Sequence, residues 1–193
     1  MRVWLPALAA LLAAGCFNEP EPAYRKVPAG ARVYLQDKGL SAAPELDATT
    51  VDYVNLDRNA LTNIDALAKL EGVKWLRLND NRLAELPDLK ALVRLRRIYL
   101  KNNRFATVPE TLRDLPSLTD IDLSGNPLAG VPEWLAKKQG LKNLSFSRTR
   151  ITRLPEDLSA WKTLQSLQLG ELSLDAAEMR RIREALPEVA IVF

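Results

Sequence analysis

Histidine is missing altogether from the 193 residues, and cysteine occurs once, at Cys16. The first absence removes the side chain most used as a general acid or base near neutral pH, and the commonest nitrogen ligand for metals, so Ser-His-Asp and Cys-His catalysis are excluded. The second excludes an internal disulfide framework and every zinc site built from several cysteines. A long hydrophobic run is lacking too. Residues 3–14 hold no charged or polar side chain, but they fall well short of the roughly 20 residues a helix needs to cross a bilayer. Charge of one sign is scarce: 27 Lys and Arg against 24 Asp and Glu leave a net +3, too little to argue for a nucleic-acid partner, which requires a concentrated basic face. What remains is 47% hydrophobic, enough for one globular unit and too little for a membrane bundle.

The apolar opening has the layout of an export signal: Arg2, then the uncharged stretch 3–14, then Gly15 before Cys16. The segment Leu12-Ala13-Ala14-Gly15-Cys16 resembles the lipobox of bacterial lipoproteins, with Ala13 where that family usually has Leu. The resemblance implies that residues 1–15 are a signal peptide cut before Cys16. It also implies a diacylglycerol thioether and an acylated amine on Cys16; at about 0.8 kcal/mol per buried CH₂, several chains hold a membrane far more firmly than one. The plainer alternative is an ordinary secretory cleavage site with Cys16 incidental. Phe17 follows the cysteine, where enterobacterial-type lipoproteins retained at the inner membrane carry Asp, so the resemblance implies the outer membrane of a bacterial envelope. Residues 16–29 read as an extended tether, because Pro20, Pro22 and Pro28 lie among Glu19, Glu21, Arg25 and Lys26.

From residue 30 onward the chain repeats itself. The pattern L-x-x-L-x-L-x-x-N-x-L appears as Val73, Leu76, Leu78, Asn81, Leu83 and again as Leu95, Ile98, Leu100, Asn103, Phe105. Further copies begin at Val51, Leu118, Leu141 and Leu164, so successive copies start 22 or 23 residues apart. A degenerate copy with Val33, Leu35 and Leu40 begins at Gly30. This resembles the leucine-rich repeat family. The resemblance implies an α/β repeat fold: a solenoid with a parallel concave sheet, short helices, 3-10 turns and loops on the convex side, and a C-terminal capping helix. The expected division is an N-terminal cap repeat over 30–50, six repeats over 51–174 and a C-terminal cap over 175–193.

Each L-x-L stretch predicts a short strand whose alternate residues enter the core. One copy cannot bury its apolar face alone, so stacking supplies the continuous core. Asn59, Asn81, Asn103 and Asn126 fall at the turn after each strand, where a short amide can satisfy buried backbone groups. Thr149 and Leu172 hold that place in the last two copies, so the polar ladder is expected to end there. Val108-Pro109-Glu110, Val131-Pro132-Glu133 and Leu154-Pro155-Glu156 recur on the return side; Pro suits the first position of a helical turn and Glu its positive end. Asp175 with Glu178 resembles a capping box, Met179, Ile182 and Leu186 keep helical spacing up to Pro187, and residues 189–193 predict a last strand.

Candidate chemistry is thin. Asp120 and Asp122 place two carboxylates on one exposed face, which suits a metal ion or an acid–base pair. Aligned by repeat, Asp120 falls beside Arg97 and Asp122 beside Tyr99, and charge pairing accounts for both without a metal. Asn143-Leu144-Ser145 matches the glycosylation tripeptide but lies on a predicted strand. Gly125 and Gly130 lack the Lys-Ser/Thr of a phosphate loop, and the basic sets Arg94, Arg96, Arg97 and Arg180, Arg181, Arg183 read as solvated faces. No catalytic residue, cofactor or metal is expected.

The outward positions carry more. The third, fifth and seventh places of the copies give Arg32, Tyr34 and Gln36; Tyr53, Asn55 and Asp57; Trp75, Arg77 and Asn79; Arg97, Tyr99 and Lys101. Later copies give Asp120, Asp122 and Ser124, then small polar residues. Aromatic and Arg residues dominate interface hot spots. The expected protein-binding patch therefore centres on Tyr53, Trp75, Arg77, Arg97 and Tyr99, with Arg32, Tyr34, Asp120 and Asp122 as its rim. The chain is expected to be a monomer that binds a protein partner, contacts the membrane through Cys16 and engages no nucleic acid. A structural envelope spacer with no discrete ligand is the alternative, and exposed Tyr and Trp would then only reflect strand propensity.

Overall fold

A repeat of 22 or 23 residues leaves room for one short strand, a turn and a return path, and the chain adopts that plan. In the computed structural model, residues 2–3, 30–47 and 50–193 are described. Nine parallel strands form one sheet in sequence order: β1 (Arg2–Val3), β2 (Ala31–Tyr34), β3 (Val51–Asn55), β4 (Trp75–Arg77), β5 (Arg97–Tyr99), β6 (Asp120–Asp122), β7 (Asn143–Ser145), β8 (Ser166–Gln168) and β9 (Ala190–Val192). The sheet is the parallel array expected of a leucine-rich repeat solenoid: β2–β8 supply one strand to each of the seven copies, β9 belongs to the C-terminal cap, and β1 falls within the segment expected to be a signal peptide. Cys16 and the tether lie outside the described residues, as does the signal peptide apart from Arg2–Val3.

Register follows the repeat. Leu76, Ile98, Ile121, Leu144 and Leu167 occupy one row across β4–β8, and each is at most 2% exposed. β2 and β3 are out of step by one residue: Ala31 pairs with Val51 but Arg32 with Tyr53, so Asp52 is the extra residue of a bulge. The return segments supply the other wall of the core. They contain 3-10 turns at Asp65–Leu67, Glu110–Leu112 and Ser159–Thr163 and a single helical turn α1 (Glu133–Ala136), each placing an apolar residue inward, from Leu67 and Leu112 to Leu135 and Trp161. Pro109 and Pro132 stand one position earlier than expected. They are N-caps with extended ψ of 122° and 148° rather than first helical residues, and no helical turn directly follows Pro155.

The asparagine ladder forms as the pattern predicts. Asn103 Nδ2 donates to the carbonyls of Leu78, Leu100 and Lys101, and its Oδ1 accepts from Leu83 N at 3.0 Å. Asn81 and Asn126 repeat the arrangement one copy to either side, and Asn59 does so toward the N-terminal cap. The ladder then stops: the Thr149 hydroxyl is buried without a partner. Just before each ladder position the chain takes a left-handed step, at Arg58, Asp80, Asn102, Gly125, Arg148 and Glu171. Only one of these is Gly, so the repeat geometry overrides a conformational cost of order 1 kcal/mol or more at the others.

Helix α2 (Ala176–Ala185) and β9 close the C-terminal end, with Ile182, Leu186 and Val189 buried. Only half of the expected capping box is made. Asp175 Oδ1 accepts from Glu178 N at 2.7 Å, but the Glu178 carboxylate turns to the return side of the copy beginning at Leu141, accepting from Leu154 N at 2.9 Å and pairing with Arg181. Arg181 also donates to the carbonyls of Leu154, Pro155 and Glu156. The solvated role expected of Arg181 is thus corrected: it is a tie between cap and repeat.

Candidate binding face

Because the core takes every second strand residue, the alternate residues form two rows on the solvent side of the sheet. One row runs Tyr53, Trp75, Arg97, Asp120, Asn143, Ser166; the other runs Asn55, Arg77, Tyr99, Asp122, Ser145, Gln168. Arg32 pairs with Tyr53 and Tyr34 with Asn55 at the N-terminal end. All nine residues of the expected patch therefore fall on adjacent strands of one surface.

They also touch. The Tyr34 and Tyr53 rings are 5.3 Å apart, and Tyr53 meets Trp75 edge-on at 5.9 Å. Arg32 lies over Tyr53 at 5.8 Å, Arg97 over Trp75 at 4.4 Å and Arg77 over Tyr99 at 5.5 Å. Cation–π contacts of this kind contribute about 0.5–1 kcal/mol at exposed sites, and here they hold three long side chains in place.

Carboxylates below the surface fix two of those arginines. The Asp57 side chain, 3% exposed, pairs with Arg77 at 2.7 Å and accepts from Asn79 N at 2.8 Å. Burial works against the Arg77 charge, but the hydrogen bond and charge of Asp57 outweigh it and hold the guanidinium above its ordinary pKa. Burial likewise pushes the Tyr53 phenol up. Arg97 Nε lies 3.7 Å from Asp120, which also accepts from Thr119 Oγ1 and, at 2.7 Å, from Asn143 Nδ2.

Two sequence expectations need correction. The seventh places do not face solvent throughout: Asp57, Asn79 and Ser124 are buried. Their side chains form a second polar ladder, in which Asn79 Oδ1 accepts from Lys101 N at 2.9 Å and Ser124 Oγ meets Ser145 Oγ at 2.6 Å. Asp120 is deeper than a rim residue, at 8% exposure, because Arg97 and Asn143 cover it. Asp122 stays partly exposed and accepts from Ser124 N at 2.9 Å. Among the described residues no three His, Cys, Asp or Glu side chains gather as metal ligands would.

Sequence reasoning missed one column. The residue immediately before each strand, Lys74, Arg96, Thr119, Lys142 and Gln165, forms a shoulder along the edge where the strands begin. Reading the second place of each copy in the same way as the third and fifth would have exposed it.

A leucine-rich repeat family model matches residues 89–128. A leucine-rich repeat protein of Leptospira interrogans superimposes with a TM-score of 0.71 at 24% identity, covering 84% of this chain and 48% of that one. YopM of Yersinia enterocolitica gives 0.60 at 29% identity, covering 74% of this chain and 29% of its own. The protein folds as a leucine-rich repeat solenoid. Its chain spans about half the length of the Leptospira leucine-rich repeat protein and under a third of YopM. No curated protein matches it. Neither the family model nor these neighbours names a catalytic activity.

Proposed function

We propose that this leucine-rich repeat protein is displayed on a bacterial envelope through lipidated Cys16, at the outer membrane, and binds a protein partner without catalysis. The partner sits on the solvent side of β2–β5. The observation that carries the reading is the connected array of Tyr34, Tyr53 and Trp75 with Arg32, Arg77 and Arg97 stacked upon it. Solubility alone asks for none of these contacts, whereas hot spots are built from large, rigid, pre-positioned Trp, Tyr and Arg. Cleavage before Cys16 would also remove β1 and leave the outer edge of β2, with Arg32 and Tyr34, open to the partner.

The test is photo-crosslinking of the full chain in the cells that make it, from a photoreactive residue at Tyr99 or at Gln168. Capture of one protein from position 99 and not from 168 is expected. Equal capture, or none from either, would leave the spacer reading in place.

A further inference from the structure

The shoulder beside the patch is concave and unevenly charged. An open hollow of ≈ 570 Å³ lies there, walled by Trp75 and lined by Arg96, Arg97 and Lys142. One carboxylate, Asp120, faces these three cations, and it already accepts from Thr119 and Asn143. Arg97 is held by Trp75 on its face and by Asp120 at Nε, so its remaining N–H donors stay available in a fixed position. The side chains of Arg96 and Lys142 make no hydrogen bond or ion pair within the described residues, and both are exposed. Asn143 and Gln165 add amides that can meet a peptide backbone.

From this we propose that the hollow receives an extended acidic segment of the protein partner. The inference rests on the protein-binding reading above and names its chemistry. Charge complementarity selects the sign, since three cations against one satisfied carboxylate leave a positive trough. Shape selects a chain rather than a single anion. Arg96 precedes β5 and Lys142 precedes β7, two strand spacings of about 4.8 Å apart. An extended peptide advances about 3.3 Å per residue and turns every second side chain to the same face, so carboxylates two residues apart come within reach of the long Arg96 and Lys142 side chains, with Trp75 of β4 bounding the hollow beyond Arg96. The Arg97 guanidinium offers a bidentate fork to a third carboxylate.

The full chain is titrated with a fluorescein-labelled hexaglutamate peptide, with hexaglutamine as the neutral control. Hexaglutamate binds, hexaglutamine does not, and the affinity falls as salt rises. The double variant Arg96→Gln with Lys142→Gln loses about tenfold, whereas Lys137→Gln with Arg150→Gln loses nothing; both doubles alter exposed residues outside the core, and unchanged melting temperatures check that they fold. Absent hexaglutamate binding, or binding indifferent to the first double variant, overturns the proposal. So does inorganic polyphosphate, or a phosphatidylglycerol vesicle, binding through Arg96 and Lys142 where the peptide does not. If a crosslinked partner releases Trp75→Ala but still holds the double variant, the acidic-segment inference falls and protein binding stands. If the partner is indifferent to both, the sheet-face reading falls with it.

Discussion

Glu178 and Arg181 bond at 2.8 Å at the point where the asparagine ladder has already ended. Asn126 is the last amide of that ladder, and the Thr149 hydroxyl one copy later meets nothing. The return side of the copy beginning at Leu141 is tied from outside, by a carboxylate that accepts from Leu154 N and an arginine that reaches three of its carbonyls.

That arrangement makes cap docking depend on pH. The Arg181 hydrogen bond holds the Glu178 carboxyl below its ordinary value of 4.5, against the opposing effect of burial. A depressed folded pKa means that the stabilisation is complete above the unfolded value and disappears as pH falls through the folded one. Glu178→Gln should cost roughly 1.5–3 kcal/mol near neutral pH, the range for hydrogen bonds to charged groups. The gap in melting temperature between wild type and variant should narrow as pH is lowered from 7 to 3. A gap that stays constant would mean that the pair does not titrate with the cap.

Leu100 tests the core. It is an inward residue just after β5 and is fully buried, so Leu100→Ala should cost about 2–5 kcal/mol through lost transfer energy and the cavity left behind. Asn103→Ala leaves Leu83 N without its acceptor and takes one donor from three carbonyls, of which Leu78 O keeps the Asn81 amide and Leu100 O that of Asn126, and should cost about 1–3 kcal/mol. Chemical denaturation that ranks Asn103→Ala as the more damaging would place the main stabilisation in the ladder rather than in the leucines.

Gly125 tests the left-handed step. Its φ is +68°, and a Cβ there would come within 2.1 Å of Asn102 Oδ1, the amide whose nitrogen donates to Asp80. Gly140 also has positive φ, +80°, but open space around it. Both Ala substitutions carry a backbone cost of about 1 kcal/mol. Gly125→Ala should exceed Gly140→Ala by about the worth of one displaced hydrogen bond, 0.5–1.5 kcal/mol. Equal losses would show that Asn102 moves aside freely.

The repeat made most of this scaffold readable, because a period of 22 or 23 residues fixes strand, core row and ladder together. Asp120 beside Arg97 and Asp122 beside Tyr99 follow from the alignment of copies alone, and the register agrees. The misses occur where a side chain chooses between partners that the pattern does not rank. Glu178 has both its own N-cap and Leu154 within reach; on the second side Leu154 N and the Arg181 guanidinium bond the carboxylate together. Asp57, Asn79 and Ser124 sit at formally outward places, yet the N–H groups of Asn79 and Lys101 in the next copy draw the first two inward, and Ser124 Oγ bonds Asp122 and the Ser145 hydroxyl. Periodicity shows where a Cβ points, and burial of a short polar side chain is then decided by which backbone group lacks a partner.

Lipid attachment is expected at Cys16, the one cysteine, at the end of the uncharged stretch. Mass spectrometry of the mature protein should find an acylated N-terminal cysteine, and Cys16→Ala should leave precursor that is uncut or mislocalised. An unmodified N-terminus would reject the anchor.

The proposed binding face yields the sharpest comparison, because one sheet carries both the array and its control. Trp75 touches Tyr53 on one side and supports Arg97 on the other, so removing its ring takes away its own contact area and the platform that positions a guanidinium. Trp75→Ala should weaken binding of the captured partner by about 2 kcal/mol or more. Ser145 occupies an equivalent outward place two strands beyond Tyr99, and Ser145→Ala should change binding little. Arg97→Lys separates the two contributions of Trp75: the charge beside Asp120 survives, but the flat group that stacks on indole and offers a fork does not. Its loss should therefore fall between the other two, and calorimetric titration of all three variants gives the order. Arg97→Lys matching wild type would assign the affinity to Trp75 contact alone, and equal losses at Trp75 and Ser145 would move the interface off this face.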